Sequence, residues 1–532
     1  MRILVYSETS ATNLQSRLGT AEYSYFFVLR EFIPVLESLG DVQVVEHPED
    51  EVDAVYLDCS RRGEPCVFLS FSPPHRTLLN LQCPTIPVFA WEFDSIPHET
   101  WLGRPEEDWG WVLRQLGQAI THSISTVRAA YRVLEPDYPL LNVPAPVWDT
   151  FGCLRDSKRY SGSWQVQGRG TIFDTGVLDL SMFLRASPGH WHAVVHGLPT
   201  PHDDPELESS IRNELDVIHR RFTDSDLSPE EQPMAPRLPS EGQQLVIPAP
   251  GLPARKRIFD RQWWKIGKRY AMAWYLGVVV PRRASQAGEP AQPEPLPESV
   301  PDDSVPLALF QSASFALELD GVVFTSVFNP YDGRKNWQDM LSAFCSAFSD
   351  KEDAVLLFKL THRACTQPIV EMLRYLARLP AFSCRVILLH GYLEDTDYQA
   401  MVSATAYVVN ASYGEGQCLP LMEFLSCGKP AIAPKHSGMV DYIDECMAFV
   451  VDSWDEATGW PHDPRFATRA CRQQVSWTSL RNAFIKAYHA YLNEPDRYMA
   501  MSDYAIERMR QHCSREVVKG KLKPFLEAAA CA

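Results

Sequence analysis

The sequence lacks any run of apolar residues long enough to span a membrane. A spanning helix needs about 20 consecutive apolar residues, whereas the longest candidate, "AMAWYLGVVV" at 271–280, has half that length. The start, "MRILVYSETS", also lacks the long apolar region and small-residue cleavage site of a secretory signal. From these absences we expect a cytoplasmic protein.

Closely spaced cysteines and an excess of basic charge are missing as well. The 13 cysteines are scattered singly without a C-x-x-C pair, which argues against a structural zinc site and against a disulfide framework. The 50 Lys and Arg residues are outnumbered by 67 Asp and Glu residues, so the formal net charge is −17. A molecule with this charge is repelled as a whole by nucleic acid and by anionic lipid. We therefore expect no nucleic-acid partner, and any basic surface must be local.

A chain of 532 residues is too long for one hydrophobic core. In residues 1–150, strand-like runs such as "RILVY", "DAVYL" and "CVFLSF" are interleaved with helical spacing, and the same texture resumes over 306–490. Strands that alternate with helices predict parallel sheets covered on both faces. The sequence thus predicts an α/β fold with two Rossmann-like, doubly wound domains, and C-terminal helices at 491–532 that pack back toward the first.

Residues 151–305 have a different composition. Residues 201–250 carry 11 acidic and 4 basic side chains, and prolines crowd 281–301, which predicts a partly disordered insertion or linker. Within it, 254–283 has 9 basic residues, 1 acidic residue and three tryptophans. Two interpretations of this basic, Trp-rich segment stay open: a helix that covers the surface of a domain, or peripheral attachment to the inner face of the plasma membrane.

The segment "NASYGEGQCLPLMEFLSCGKPAIAP", residues 410–434, carries the strongest functional pattern. It predicts a strand end, a loop that contains Glu415, and a helix with Glu423 about one turn in. Ligands bind doubly wound sheets at the carboxyl ends of the strands, where a helix N-terminus offers free backbone N–H groups to an anion. The two carboxylates are either favourable charges near a helix start or acceptors for the hydroxyl groups of a nucleotide-linked sugar.

Three stretches of the second half resemble one enzyme family. "SYGEGQCLPLMEFLSCGKPAI" closely resembles the E-x7-E segment of retaining glycosyltransferases with the GT-B fold, family GT4. "FNPYDGRKNWQDML" resembles the family's Arg-Lys loop, and "PAIAPKHSGMVDYI" resembles its next strand and glycine turn. The similarity covers about 320–445 well, the first domain weakly and 151–305 not at all.

The resemblance implies a function as well as a fold. It implies a GT-B enzyme that needs neither cofactor nor metal and that transfers a sugar, with retention, from a nucleotide-sugar donor. The acceptor would be a hydroxyl of a glycan, glycolipid or lipid-linked acceptor in polysaccharide or cell-surface glycan synthesis. Arg334 and Lys335 would neutralise the donor diphosphate, Glu415 would bind the transferred sugar, and Glu423 would bind the ribose hydroxyls.

Other donor contacts follow from the same resemblance. Asn329 stands where the family commonly has an earlier arginine, and Lys359, at the end of "AVLLFKL", is the candidate that restores this charge. A solvated strand-end lysine is the alternative. The remaining donor contacts are assigned to a set of mostly small loop residues: Gly19, Gly416, Gln417, Cys418, Leu419, Ser437 and Gly438.

Acceptor-side candidates lie in the first domain. "FLSFSPPH" ends in His75, and "PVFAWEFDSIPHETW" contains Trp91, Glu92 and Asp94 and resembles a W-E-x-x-x-x-P-x-x-W variant of some relatives, with Phe93 where many have a histidine. Glu92 is the first candidate for a base that takes the proton of the acceptor hydroxyl; Asp94 and His75 follow it. In the alternative, front-face displacement, the leaving diphosphate removes this proton and no protein base exists.

Two rival functions stay open: a GT-B nucleotide-sugar epimerase, and a catalytically silent subunit that binds a sugar nucleotide. The D-x-D motif Asp395 to Asp397 is expected at a helix start, where capping explains it better than metal ligation.

Overall fold

The structure is a computed structural model that describes residues 1–10, 13, 19, 22–101, 103–155, 164–184, 312–465 and 467–531. The basic, Trp-rich segment 254–283 and most of the predicted insertion lie outside these residues. The described residues form two α/β lobes.

The first lobe is built on a six-stranded parallel sheet with the order β2-β1-β3-β4-β5-β6. Its strands are β1 Arg2–Tyr6, β2 Asp41–Val44, β3 Cys66–Phe71, β4 Thr85–Phe89, β5 Ala119–Thr121 and β6 Leu140–Asn142. Its helices are α1 Ser24–Glu37, α2 Pro48–Arg62, α3 Trp109–Leu116, α4 Ile124–Ala130 and α5 Gly152–Arg155. Strands β3 and β4 are buried along their whole length, as expected for a sheet covered on both faces.

One predicted strand of this lobe is wrong. The run "DAVYL" at 53–57 lies inside helix α2. Pro48 occupies the first turn, which also holds three acidic residues, and Gly63 ends the helix in the left-handed conformation. These start and stop signals favour one continuous helix, and they outweigh the five-residue apolar run.

The second lobe is built on an eight-stranded sheet with the order β14-β13-β12-β9-β10-β11-β7-β8. Its strands are β7 Trp164–Asp174, β8 Ala313–Leu319, β9 Val322–Phe328, β10 Ala354–Leu360, β11 Arg385–His390, β12 Tyr407–Val409, β13 Ala431–Pro434 and β14 Ala448–Val451. Its helices are α6 Trp337–Ala347, α7 Thr366–Ala377, α8 Asp395–Ala404 and α9 Leu419–Ser426. A separate two-stranded hairpin follows, β15 Ser453–Gly459 and β16 Thr468–Val475.

Strand β7 joins the second sheet, although the sequence places 164–174 within the segment 151–305. It pairs antiparallel with both β11 and β8, so the chain between β7 and β8 leaves and re-enters the sheet at one edge. A Cβ atom on Gly170 would overlap the His390 carbonyl oxygen. The close pairing of β7 with β11 therefore requires glycine at this position.

Three long helices end the chain, α10 Trp477–Asn493, α11 Pro495–Cys513 and α12 Arg515–Cys531. Helix α12 packs on α1 and β3 of the first lobe. The Trp148 indole donates to the Ile506 carbonyl at 3.0 Å, and the Arg515 N–H donates to Asp149 at 2.7 Å. The predicted α/β fold with two Rossmann-like, doubly wound sheets is confirmed. No helix within the described ranges is long and apolar enough to cross a membrane.

Replacement of Gly170 by alanine should destabilise the protein. The new methyl group must push β7 away from β11, and we expect overpacking of this kind to cost about 1–3 kcal/mol of unfolding free energy. The matched control is Gly520→Ala in helix α12, where a Cβ atom meets nothing within 4 Å and alanine should stabilise by about 0.5–1 kcal/mol. Thermal unfolding of both variants checks this, and an unchanged melting temperature for Gly170→Ala would contradict the pairing of β7 with β11.

Candidate functional site

The central feature of the site is an ion pair between two loops of the second lobe. Strands β9 and β12 are parallel neighbours, so the loops after them emerge at the same edge of the sheet. The loop after β9 contains a short 3-10 turn, Gly333–Lys335, and the loop after β12 contains Glu415. The Lys335 Nζ lies 2.7 Å from Glu415 Oε1.

Glu415 is buried and ionised. Its residue is 4% exposed, and Oε1 also accepts from the Ser412 hydroxyl at 2.6 Å and the Asn410 amide at 3.1 Å. Burial alone would raise the pKa of this carboxyl, but the positive charges of Lys335 and Arg334 more than offset burial and lower the pKa to about 2. All three donors reach Oε1, and within the described residues Oε2 makes no hydrogen bond.

Arg334 joins the two lobes. Its Nη1 lies 2.6 Å from Glu92 Oε1 of the first lobe and donates to the Gly414 carbonyl at 2.9 Å. Its Nε and Nη2 bind Asp332 in a bidentate way, at 3.0 and 2.7 Å. Burial disfavours the charged guanidinium, yet these carboxylates raise its pKa. Glu92, the first candidate for a base, is therefore paired with a cation. Burial nevertheless raises the pKa of its carboxyl.

The glycine-flanked turn around Glu415 passes between the first lobe and a second turn, Ser437–Asp441. A Cβ atom on Gly414 would lie 2.9 Å from the Glu92 carbonyl oxygen, and one on Gly416 would lie 2.8 Å from Ala90 Cβ. On the other side, a Cβ atom on Gly438 would overlap the Gly416 carbonyl oxygen. The structure thus brings Gly416 and Gly438 together at the site, where glycine permits the close approach of three backbone segments.

Three more residues that are predicted to contact the nucleotide-sugar donor, Gln417, Cys418 and Leu419, lie at the start of helix α9. The Gln417 side chain is buried and accepts from the Ala145 N–H of the first lobe at 3.0 Å. Cys418 precedes the helix in the left-handed conformation, with φ 58°, and its thiol accepts from Asn410. Leu419 is the first helical residue. Ser437 reaches this loop too, because its hydroxyl accepts from the Glu415 N–H at 2.9 Å.

Glu423 lies one turn into α9, as predicted, but apart from the ion pair. Its Oε2 accepts from the Tyr398 hydroxyl at 2.6 Å. Burial raises the pKa of Glu423 to about 7; the Tyr398 hydrogen bond and Arg30 oppose this shift, and Glu31 adds to it. Arg30 and Glu31 belong to α1 of the first lobe, so Glu423 lies where the two lobes approach each other.

Three further residues are predicted to contact the nucleotide-sugar donor: Lys359, and the pair Asn329 and Gly19. Lys359 is 5% exposed, so it is a buried lysine and not a solvated one. Its Nζ donates to the Gly391 and Leu360 carbonyls at 2.6 and 3.2 Å, and burial lowers its pKa to about 8. Asn329 donates to the Gly19 carbonyl at 2.9 Å, which brings these two predicted residues together.

Trp91 and His75, which are predicted to lie near the acceptor, make contacts within the first lobe. Trp91 is 2% exposed and its indole donates to the Ser95 carbonyl at 2.7 Å. His75 accepts from the Trp109 indole at 3.2 Å, and burial, with the neighbouring His462, lowers its pKa to about 4.

Asp94 is engaged with the backbone of the β15–β16 hairpin. It accepts from the Cys471 N–H at 2.6 Å and pairs with Arg132. Of the acceptor-side segment, only Glu92 reaches the ion pair around Arg334.

Four residues of the site were not anticipated from the sequence. Asn410 and Ser412 hold Glu415, Asp332 holds Arg334, and Tyr398 holds Glu423. Asn410 and Ser412 closely follow an apolar strand, and polar residues at such a position predict a ligand site. Tyr398 carries no such signal, because its contact with Glu423 arises only when α8 packs beside α9.

A small cavity lies at the carboxyl ends of β9 and β12. Lys335, Glu415 and Cys418 line it, together with strand-end residues of both strands. In the part of the chain that the structure describes, no group of three or more His, Cys, Asp and Glu side chains could hold a metal ion. Asp395 and Asp397 lie in the first turn of α8.

No protein-family model matches the chain, and no curated protein matches it. Among solved structures, an S. aureus TarM variant in complex with fondaparinux, α-GlcNAc-glycerol and UDP is 13% identical, with a TM-score of 0.28 and coverage of 38% of this chain and 35% of that chain. Sucrose-phosphate synthase from Thermosynechococcus elongatus is 12% identical, with a TM-score of 0.43 and 99% coverage of both chains.

Anabaena HepE in complex with UDP and glucose is 10% identical, with a TM-score of 0.41 and coverage of 99% of this chain and 100% of that chain. The chain therefore spans about a third of the TarM chain and nearly all of the other two. These similarities are too low to assign a function, which is therefore inferred from the site residues of the protein itself.

Removal of the Lys335 charge should destabilise the fold, because Glu415 then stays buried without its cation. We expect Lys335→Met to cost about 3 kcal/mol of unfolding free energy at pH 7, and the cost should shrink in a Glu415→Gln background. The pKa of Glu415 is lowered from 4.5 to about 2, so the contribution of the pair is present above pH 4.5 and is lost as the pH falls toward 2.

Urea unfolding of the single and double variants at pH 7, 5 and 3 measures this coupling. Lys351→Met is the matched control, because Lys351 pairs with an exposed partner, Asp350, and its loss should cost less than about 1 kcal/mol. Equal costs for the two lysine variants would contradict a buried, coupled pair at the site.

Proposed function

We propose that this protein is a retaining glycosyltransferase that transfers a sugar from a nucleotide-sugar donor to a hydroxyl group of a glycan, glycolipid or lipid-linked acceptor. The observation that carries the proposal is the Lys335–Glu415 pair beside Arg334, at the ends of two parallel strands and directly before α9. Adjacent cations suit a diphosphate, and an ionised carboxylate suits the hydroxyl groups of a sugar.

The diphosphate is expected to bind Lys335 and Arg334, next to the first turn of α9. Both cations stay charged at neutral pH, because their carboxylate partners raise their pKa values against the effect of burial. Positive charge fixed at this position stabilises the diphosphate as it leaves the sugar. Glu415 keeps one oxygen on its three protein donors and offers Oε2 to a sugar hydroxyl.

Transfer with retention then needs few protein groups. The bond between the anomeric carbon and the diphosphate oxygen breaks while the acceptor oxygen bonds to the same face of that carbon. The acceptor proton passes to the departing diphosphate, so the atoms balance without a protein base. Positioning and charge stabilisation supply most of the rate in this scheme. The pairing of Glu92 with Arg334 supports a role for Glu92 in holding the cation.

Pathway and location belong to the same proposal. A hydroxyl acceptor on a polysaccharide or cell-surface glycan agrees with the sequence resemblance. A cytoplasmic enzyme attached to a membrane through 254–283 agrees with the basic, Trp-rich composition of that segment. That segment lies outside the described residues, and membrane attachment stays a prediction of the sequence.

A panel of nucleotide sugars, incubated with and without acceptor glycans, tests the reaction. We expect consumption of one donor only when an acceptor hydroxyl is present, and NMR of the product should show the anomeric configuration of the donor. Glu415→Ala and Lys335→Ala should each lower turnover at least about 100-fold, as loss of a charge-stabilising group does. An isomerised donor without acceptor would identify an epimerase, and binding without turnover would identify a silent subunit.

The Glu92→Gln variant distinguishes between two roles for Glu92, holding Arg334 and acting as the base. If Glu92 only holds Arg334, its removal frees the guanidinium for the diphosphate, and the affinity for inorganic pyrophosphate should rise about fivefold, or about 1 kcal/mol, with turnover within tenfold of the wild type. Calorimetry and steady-state kinetics measure both quantities. Glu99→Gln is the control, since Glu99 pairs with Arg465 on the β15–β16 connection and with Arg469 of β16. A fall in kcat of about 100-fold with unchanged affinity would instead make Glu92 the base.

A further inference from the structure

Three cysteine side chains meet at the amino end of the first sheet. Cys66 begins β3, Cys83 lies two residues before β4, and Cys59 lies on α2, which packs on β3. All three residues are buried, with exposed fractions of 2% or less, and they belong to one apolar cluster. The sulfur atoms of Cys66 and Cys83 are 4.0 Å apart.

The strand register explains why two of these sulfur atoms meet. Phe68 pairs with Thr85 in the parallel β3–β4 ladder, so Cys66 and Cys83, each two residues earlier, are neighbours in its extension. Adjacent strands lie about 4.8 Å apart, which falls within the range of about 4.4–6.8 Å between the Cα atoms of a disulfide. Rotation of the two side chains can therefore bring the sulfur atoms to bonding distance while the strands keep their places.

A cation extends this row of residues onto the next strand. Arg2 of β1 pairs with Cys66 in the β1–β3 ladder, and its guanidinium lies close to the thiols of Cys59 and Cys66. Its Nη1 binds Asp41 at 2.8 Å, but its buried Nε has no hydrogen-bond partner within the described residues. A buried N–H group without an acceptor is costly, and a thiolate beside Arg2 would supply the missing acceptor.

The groups around Cys66 favour its thiolate form. The hydrogen bond from Cys83 has the largest effect, and together with the contact of Cys59 and the charge of Arg2 it lowers the pKa of the Cys66 thiol, although burial and Glu64 oppose this shift. The pKa of Cys83 is raised by its contact with Cys66 and by burial, so this thiol keeps its proton. A thiolate next to a protonated thiol provides a nucleophile and a second sulfur that resolves its oxidised form.

A second pair of buried thiols shows the effect of packing alone. Cys345 of α6 contacts Cys384, which precedes β11, and the two residues are 4% and 3% exposed. The contact with Cys384 and burial raise the pKa of Cys345 well above its ordinary value, and no charged side chain of the described residues contributes. Thiols of this kind pack as small hydrophobic groups. The cation at Arg2 therefore distinguishes the cluster at β3 from ordinary core packing.

We propose that Cys66 and Cys83 form a redox-active dithiol that hydrogen peroxide oxidises to a reversible disulfide, with Cys66 as the nucleophile. The thiols lie directly below the surface, because the adjoining residues Pro65 and Gln82 are exposed, and the oxidant is little larger than water. The dithiol is independent of the proposed function, since it lies at the opposite end of β4 from Glu92.

The oxidation takes two steps, and its atoms and electrons balance. The Cys66 thiolate attacks one oxygen of the peroxide, the O–O bond breaks and hydroxide leaves, so the sulfur is oxidised to a sulfenic acid while the peroxide is reduced. The Cys83 sulfur then attacks the Cys66 sulfur, the S–S bond forms, the S–O bond breaks, and the hydroxyl group leaves with the Cys83 proton as water. The proton that Cys66 released converts the hydroxide to a second water molecule.

The test uses the full chain, first reduced, then freed of reductant and exposed to increasing concentrations of hydrogen peroxide. Mass spectrometry after alkylation should show that two of the 13 free thiols are lost and that the peptides containing Cys66 and Cys83 are joined. Dithiothreitol should restore both thiols. Half-oxidation of the internal control pair, Cys345 and Cys384, should need at least about tenfold more peroxide, because oxidation follows thiolate character.

Variants assign the separate roles. Cys83→Ser should stop the reaction at the Cys66 sulfenic acid, which a 1,3-diketone traps, and Cys66→Ser should leave Cys83 reduced at the same peroxide concentration. Arg2→Met should slow the oxidation of Cys66 about tenfold. The matched control is Arg62→Met, because Arg62 ends α2 and contacts Cys59 at 3.9 Å; this variant should change the rate less than about threefold.

The wild-type measurement decides the proposal without any variant. Equal sensitivity of the Cys66–Cys83 and Cys345–Cys384 pairs would overturn it, and so would retention of all thiols up to the peroxide concentration at which circular dichroism shows unfolding. A disulfide between Cys66 and Cys59 would overturn the assignment of Cys83 as the resolving thiol.

Discussion

The buried charge of Glu415 is the constraint on which the site depends. A carboxylate that is 4% exposed stays ionised only if cations and hydrogen-bond donors surround it. Lys335, Ser412 and Asn410 meet this need, and to do so the loops after β9 and β12 must lie side by side. The order of strands in the second sheet, with β12 next to β9, brings those loops together, so the fold and the charge support each other.

The loop after β12 also lies at the contact between the two lobes. Its glycines touch the backbone after β4 on one side and the Ser437–Asp441 turn on the other, and Arg334 bridges to Glu92 across the same gap. A change of distance between the lobes therefore alters the environment of the cations directly. In this structure carboxylates of both lobes share the positive charge of the site, so an anionic ligand must compete with protein groups for it.

The fold class and the centre of the site were predictable from the sequence because they depend on local patterns. Strand β10 coincides with "AVLLFKL", and the loop and helix around Glu415 and Glu423 follow from an apolar run, glycines and an early proline. Short apolar runs are ambiguous, which is why "DAVYL" proved helical. Asp332 lies only two residues from Arg334, so its contact is local. The contact of Tyr398, the burial of Lys359 and the place of β7 depend on distant segments, and no spacing in the sequence encodes them.

Strand β7 has a consequence for how this protein tolerates change in length. Both ends of the segment that follows it are fixed in register, since Gly170 pairs with Ala313 in the β7–β8 ladder. A chain that leaves and returns at one sheet edge adds only a loop-closure entropy, which grows with the logarithm of its length. Changes in the length of the chain between these strands should therefore leave in place the strands that lead to the edge with Lys335 and Glu415.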